Sequence, residues 1–216
     1  MSSALRVTWE TLRDWWDSMV GLATFNLVWL GLSLTVILCP PATAGLYAVT
    51  NSLAHGKGQR LGDFVEAARR YAWLSWRWAL INVVLGGVLA VNFAFYGAVE
   101  STAGVLIQIA LVSVGIVWLV MQFYTWPFLI EQEQKRLRLA LRNALFLSLA
   151  NPLYTLLLLV VAGLAIVFSL VAILPLGFFT MSFLALLGNR AVVERLTHYG
   201  KLPATDVASA SGDNLL

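Results

Sequence analysis

The basic residues of this 216-residue chain are confined to four clusters, and no other feature constrains the fold as much. All 14 lysines and arginines lie within residues 6–13, 57–77, 135–142 and 190–201. The stretches between the clusters, 14–56, 78–134 and 143–189, contain 43, 57 and 47 residues without a lysine or arginine. A helix needs about 20 apolar residues to cross a bilayer, so each stretch has room for two antiparallel crossings.

The composition agrees with a membrane location, because 60% of the residues are hydrophobic and only 12% are charged. A soluble domain has roughly 45–50% apolar and about 25% charged residues. The sequence therefore predicts an all-α, polytopic membrane protein with about six membrane segments in three hairpins, two of them with short second arms. The segments are expected at residues 19–39, 42–55, 78–98, 103–130, 152–173 and 176–189. They form one domain over residues 1–202, and the polar tail 203–216 is predicted to be disordered.

The positions of the basic clusters also predict the orientation of the chain. Lysine and arginine accumulate on the cytoplasmic side of membrane proteins, so all four clusters and both termini are expected in the cytoplasm of a plasma-membrane protein. This explains the pI near 9.2 without a nucleic-acid partner. The expected partner of these clusters is instead a bilayer with anionic headgroups.

Each predicted hairpin contains a turn signal at its far end. These signals are Cys39-Pro40-Pro41, the stretch Gly97–Thr102 around Glu100, and Leu174–Gly177 with Pro175. Proline removes a backbone donor and disfavours helix at the preceding residue. The arm at 42–55 would span only about 21 Å as a helix. Two interpretations therefore stay open for it: a full crossing, or a re-entrant segment that puts the N-terminus on the other side.

An amphipathic stretch precedes each hairpin, at residues 5–18, 62–77 and 135–151. In the first, the apolar positions recur at steps of three and four: Leu5, Trp9, Leu12, Trp16 and Met19. Such helices lie in the membrane interface, with their basic side toward the headgroups.

The polar residues within the predicted segments are amides and not ionisable groups. They are Asn26, Asn82, Asn92, Gln108 and Gln122. Proton-coupled and charged-substrate carriers usually place ionisable residues at membrane depth, so this class is disfavoured. We expect the amides to form hydrogen bonds between helices; a path for a polar solute is the alternative.

Small residues form a stripe with four-residue spacing on the third segment. The stripe consists of Gly86, Ala90, Ala94 and Ala98. Small side chains let helices approach closely, so we expect this face to pack within the chain, and a dimer face is the alternative. A line with seven-residue spacing lies on the next segment and is expected to face it: Gln108, Gly115 and Gln122.

The sequence contains little that predicts catalysis or cofactor binding. The single cysteine, Cys39, excludes an intramolecular disulfide and multi-cysteine metal motifs. His55 and His198 lack acidic or thiol partners at ligand spacing. We interpret Glu131 and Glu133 as capping and interfacial residues. No catalytic, metal-binding or cofactor-binding residues are predicted.

Several short motifs resemble the signature of the YesL-like family of bacterial membrane proteins, whose function is unknown. The motifs are Asn26-Leu-Val-Trp29, Ser33-Leu34, the run Pro41-Ala42-Thr43-Ala44-Gly45-Leu46-Tyr47, Asp63-Phe64 and Arg142-Asn-Ala-Leu145. Thr35 and Pro40 depart from the pattern, since the family often has proline and glycine there. The resemblance implies a small helical protein of the bacterial plasma membrane, frequently encoded beside carbohydrate-uptake genes, and it implies no catalytic residues.

These observations lead to two hypotheses about function. The first is a non-enzymatic protein that assists or regulates a carbohydrate transport complex through its cytoplasmic amphipathic helices. The second is a small channel or facilitator for a neutral polar solute, lined by Asn82, Asn92, Gln108 and Gln122. A membrane enzyme ranks third, because no acid, base or metal set converges in the sequence.

Overall fold

The computed structural model describes residues 3–99 and 101–202, and this part of the chain is all-helical, without a strand. The predicted tail 203–216 and Glu100 lie outside the described residues. The ten helices are α1 (Ser3–Asp17), α2 (Met19–Ser33), α3 (Cys39–Ala54), α4 (Leu61–Arg70), α5 (Ala72–Gly97), α6 (Thr102–Glu131), α7 (Leu137–Ala150), α8 (Pro152–Ala172), α9 (Leu174–Phe178) and α10 (Thr180–His198).

Three helices, α5, α6 and α8, are long and apolar enough to cross a membrane. They contain 26, 30 and 21 residues, and they coincide with the expected segments 78–98, 103–130 and 152–173. The helix α2 is apolar but has only 15 residues. The chain thus has the helices expected of a membrane protein, while six crossings and the three-hairpin topology stay a prediction.

The proline pair lies inside a helix, and the expected break at Cys39–Pro41 is displaced toward the N-terminus. The chain leaves helical geometry after Ser33, and Val36 has a positive φ of 58°. Pro40 and Pro41 fall in the first turn of α3, where the missing N–H groups would have no helical acceptor anyway. The prolines therefore start α3, and the turn occupies the residues before it.

The break between α8 and α10 also combines a residue of positive φ with a proline in the first turn of the next helix. Ile173 has a φ of 59°, and Pro175 lies in the first turn of the short helix α9. The third turn, between α5 and α6, ends at Ser101, whose hydroxyl accepts a hydrogen bond from the Gly104 N–H at 3.1 Å.

The two short helices α3 and α10 form the centre of the bundle. Most of their residues are buried, and they pack against each other and against α2 and α6. The Asn189 side chain joins them by donating to the Tyr47 carbonyl at 3.0 Å and to Thr50 Oγ1 at 2.9 Å.

The first amphipathic helix packs with its small residues and exposes its large apolar ones. In α1 the buried positions are Ala4, Val7 and Thr11, whereas Trp9 and Trp16 are 66% and 71% exposed. The apolar stripe predicted from the sequence therefore faces away from the protein, as expected for a helix that lies in a membrane interface.

The second amphipathic stretch is divided between two helices. The expected range 62–77 is interrupted at Tyr71, where α4 ends and α5 begins. The third stretch corresponds to α7, which buries Leu137, Ala140, Ala144 and Leu147.

Candidate functional site

Two of the predicted amides meet at the α5–α6 contact. The Gln122 Oε1 atom accepts from Trp78 Nε1 at 2.7 Å and from Asn82 Nδ2 at 3.4 Å. The Asn82 Oδ1 atom accepts from Trp118 Nε1 at 3.0 Å. The two amide oxygens thus accept from both indoles across the α5–α6 contact, which is how polar groups join helices in an apolar medium. The Gln122 Nε2 atom is buried without a partner among the described residues.

The other two amides of the proposed solute path lie elsewhere on the same helix pair. Gln108 Nε2 donates to the Phe93 carbonyl at 3.1 Å, and Asn92 Nδ2 donates to the Val88 carbonyl of its own helix at 2.8 Å. Gly115 faces Leu89, whose Cδ1 lies 3.8 Å from a Cβ built on the glycine. The Gln108 contact favours a packing role over a solute path. Asn92 departs from the expected bond between helices, because its donor is used within α5.

The small-residue stripe of α5 does not pack within the described part of the chain. Gly86, Ala90, Ala94 and Ala98 are all exposed, and a Cβ built on Gly86 meets no atom within 4 Å. The helix instead turns its half-buried side, with Asn82, toward α6. The expectation that this stripe packs internally is therefore wrong.

Asn26 is fully buried and joins α2 to the segment that follows α8. Its Nδ2 atom donates to the Gly177 carbonyl at 2.5 Å, and its Oδ1 atom accepts from the Ser182 N–H at 2.8 Å. These bonds hold the short helices α9 and α10 against α2. The sequence predicts this amide at membrane depth, and in the structure it joins helices by hydrogen bonds.

The signature residues of the first hairpin also pack against one another. Trp29 Nε1 donates to Thr43 Oγ1 at 3.0 Å, and the Tyr47 ring stacks on Trp126 at 6.2 Å between centroids. The neighbouring signature residues Ala42 and Ala44 are buried. Pro41 lies in the first turn of α3, and Ser33 ends α2.

The signature pair Asp63-Phe64 fixes α4 to α3. Asp63 Oδ2 accepts from the Arg60 N–H at 2.9 Å, which closes the first turn of α4. Phe64 is fully buried and stacks on Phe25 at 6.1 Å. A Cβ built on Gly45 would lie 2.8 Å from the Phe64 carbonyl oxygen, so the glycine allows α3 and α4 to approach closely. The signature therefore encodes helix packing.

The structure also contains ionic contacts that the sequence did not reveal, and the largest group joins α1 to α10. Asp14 forms an ion pair with Arg190, whose side chain is only 10% exposed. Arg6 pairs with Glu194 at 3.2 Å, and Glu194 also contacts Arg195 at 3.3 Å. A cavity of about 240 Å³ lies beside these pairs.

Burial and the neighbouring positive charge act in opposite directions on the pKa of Asp14. Burial raises the pKa of Asp14 above its ordinary value, and the neighbouring Arg190 guanidinium lowers it. The Arg195 guanidinium lies 3.7 Å above the centre of the Tyr154 ring, and it donates to Ser3 Oγ at 2.8 Å. Each charge is therefore matched by a partner, which is typical of structural ion pairs.

A second polar cluster joins the end of α3 to the end of α6. Glu131 Oε1 accepts from Asn51 Nδ2 at 2.5 Å and contacts His55 Nε2 at 2.8 Å. The Glu131 side chain is only 9% exposed, so its interpretation as an interfacially solvated group is wrong. Burial lowers the pKa of the nearby Lys135, and Glu131 opposes this shift. Lys135 Nζ donates to the Ile130 carbonyl.

Sequence reasoning missed both clusters because their members are distant in the chain. Asp14 and Arg190 are separated by 176 positions, and Asn51 and Glu131 by 80. One signal was available: α1 carries both signs of charge, whereas a purely interfacial helix is mainly basic. Within residues 3–99 and 101–202, no group of three His, Cys, Asp or Glu side chains could hold a metal ion.

A comparison with protein families finds a match over a part of the chain that does not include Asp14, Arg190 or Glu131. Residues 22–93 match a family model. The family is described as "Protein of unknown function, DUF624". The matched third of the chain runs from α2 into α5 and contains the signature residues from Asn26 to Phe64. No curated protein and no solved structure matches the chain.

Proposed function

We propose that this chain is a YesL-like, non-enzymatic protein of the bacterial plasma membrane that assists or regulates a carbohydrate transport system. The observation that carries the proposal is a set of exposed charges at the end of α4, in the α6–α7 loop and in the first turn of α7. This α4–α7 surface consists of Glu66, Arg69, Arg70, Lys135, Arg136 and Arg138.

The positions of the charges support a docking role for this surface. Glu66 and Arg70 line one cavity with Ile130 at the end of α6. The Ile130 carbonyl accepts from Lys135 Nζ, so the end of α4 lies beside the α6–α7 loop. Glu66 and Arg70 pair with each other at 2.6 Å, and both side chains are about two-thirds exposed. The pairs at Asp14 and Glu131 are instead largely buried, so the charges of the α4–α7 surface are the ones accessible to a partner. Exposed charges of this kind set the specificity and rate of protein association.

The carbohydrate part of the proposal has a different basis, namely the resemblance of the signature motifs to the YesL-like family. Such proteins are frequently encoded beside uptake genes, which makes a transporter the partner to test first. The non-enzymatic part rests on the same resemblance, which implies no catalytic residues.

Crosslinking tests the docking role directly. With a photoreactive amino acid at Arg69 or Arg138, we expect crosslinks to a carbohydrate-transporter subunit in native membranes, because both positions lie on the α4–α7 surface. The matched control is the same probe at Thr35, an exposed residue in the turn between α2 and α3. The proposal fails if Arg69 and Arg138 give the same products as Thr35, as identified by mass spectrometry.

The positive-inside rule gives the orientation that the proposal requires, with both termini and the α4–α7 surface in the cytoplasm. The turn before α3 would then lie outside the cell. Cys39, the only cysteine, is partly exposed at the start of α3. We therefore expect a membrane-impermeant thiol reagent to label intact cells, and the Cys39→Ser variant to remain unlabelled. Labelling that requires permeabilised cells would reverse the proposed orientation of this hairpin.

A further inference from the structure

A cavity of about 350 Å³ lies between α7 and the end of α10, and its lining combines hydrogen-bond donors with apolar side chains. The polar residues of the lining are Asn143, Arg195, Tyr199 and Lys201. Among the described residues that line it there is no carboxylate. The rest of the lining is apolar and includes Phe128, Phe146, Leu147 and Leu196. A cavity lined by hydrogen-bond donors and apolar side chains suits a ligand with an anionic head and a hydrocarbon part.

The backbone at the end of α10 positions Lys201 at this cavity. Gly200 has a φ of 66°, which costs glycine little because it has no Cβ. This turn lets the Lys201 N–H donate to the Leu196 carbonyl at 2.8 Å, as at many helix C-termini. Lys201 is thus folded back against the last turn of α10.

The other polar groups add a donor and a second positive charge. The Tyr199 hydroxyl accepts from Asn151 Nδ2 at 2.8 Å, which leaves its own O–H able to donate to a ligand. Arg195 supplies the second positive charge of the lining, but it also contacts Glu194, so the uncompensated charge comes mainly from Lys201.

The surroundings of the cavity are those of a membrane interface. Phe146, Leu149 and Leu153 are 61%, 65% and 70% exposed, and they lie beside the start of α8. Because α8 is long and apolar enough to cross a membrane, its first turn belongs at the boundary between headgroups and hydrocarbon. A soluble anion would leave these apolar side chains in water, whereas a lipid would cover them.

We propose that the α7–α10 cavity binds one anionic phospholipid. The phosphate contacts Lys201 and Tyr199, and the glycerol and first acyl carbons lie on Phe146 and Leu147. This inference rests on the bilayer location in the proposed function and does not require a transporter partner.

Lipid retention by the purified full-length protein tests the site. We expect native mass spectrometry to show one retained phosphatidylglycerol and weaker retention of phosphatidylcholine. The Lys201→Gln variant should bind phosphatidylglycerol about fivefold more weakly, which corresponds to about 1 kcal/mol per basic residue near a membrane surface. The matched control is Lys57→Gln, an exposed lysine in the α3–α4 loop, which should leave retention unchanged.

Three outcomes would overturn the inference. The first is equal retention of the two lipids, and the second is an equal loss in the Lys201→Gln and Lys57→Gln variants. The third is displacement of phosphatidylglycerol by inorganic phosphate, which would indicate a site for soluble anions. Lys201 is exposed and packs little, so the variant is expected to fold. None of these results would affect the crosslinking pattern of the α4–α7 surface, so the two proposals can fail separately.

Discussion

Replacing Arg190 by methionine is expected to destabilise the protein by about 3 kcal/mol, because the substitution leaves Asp14 without its partner. The guanidinium side chain is 10% exposed and the carboxylate 21%. Removing one member of a buried ion pair costs roughly 3–5 kcal/mol, and the partial exposure of Asp14 places the expected loss at the lower end. The midpoint of thermal unfolding in detergent measures the effect.

The double variant separates the cost of an unpaired charge from the contribution of packing. With Asp14→Leu added to Arg190→Met, no charge remains unpaired, so we expect much of the lost stability to return. The control is Arg13→Met in the same helix. Arg13 and Asp17 are both more than 60% exposed and 3.7 Å apart, and such a surface pair contributes about 0–1 kcal/mol. Equal losses in Arg13→Met and Arg190→Met would show that the Asp14–Arg190 pair does not join α1 to α10.

The long apolar helices could be predicted from the sequence because their signal is local. The residues of α5, α6 and α8 are almost free of charge over a membrane-crossing length, and no distant contact is needed to read that pattern. The helix class of α3 was also predictable, but its first residue was not. Proline disfavours helix at the residue before it, and it also fits well in the first turn. The sequence alone does not decide which effect applies at Pro40.

The polar contacts were harder to predict because they depend on which helices become neighbours. The amides Asn82 and Gln122 could be paired in advance, since α5 and α6 are consecutive and antiparallel. Asp14 and Arg190 belong to opposite ends of the chain, and only the central position of α10 brings them together. For Glu131, the basic residues that follow it suggested an exposed helix start, whereas the end of α3 encloses it.

Replacing Gly45 by valine is expected to lower the stability by at least about 2 kcal/mol, because the site has no space for a side chain. A Cβ at this position would lie 2.8 Å from the Phe64 carbonyl oxygen and 3.3 Å from the Ala68 Cβ. The nearer atom belongs to the backbone of α4, so the side chain can fit only if α3 and α4 move apart. Overpacking a core typically costs about 1–3 kcal/mol, and here the shift would also disturb the fully buried Phe64. Thermal unfolding and the amount of protein in the membrane measure the loss.

Two further variants distinguish this close approach from a general effect of glycine substitution. Gly86→Ala, at a helix position with no atom within 4 Å, should be neutral or stabilising, because alanine favours helix by about 0.5–1 kcal/mol over glycine. Adding Ala68→Gly to Gly45→Val removes the contact at 3.3 Å but leaves the carbonyl contact, so it should restore little stability. Full rescue by Ala68→Gly would show that the Ala68 side chain limits the approach. Failure to rescue would show that Gly45 is needed for the short backbone distance between α3 and α4. This contact lies within the residues 22–93 that match the family model.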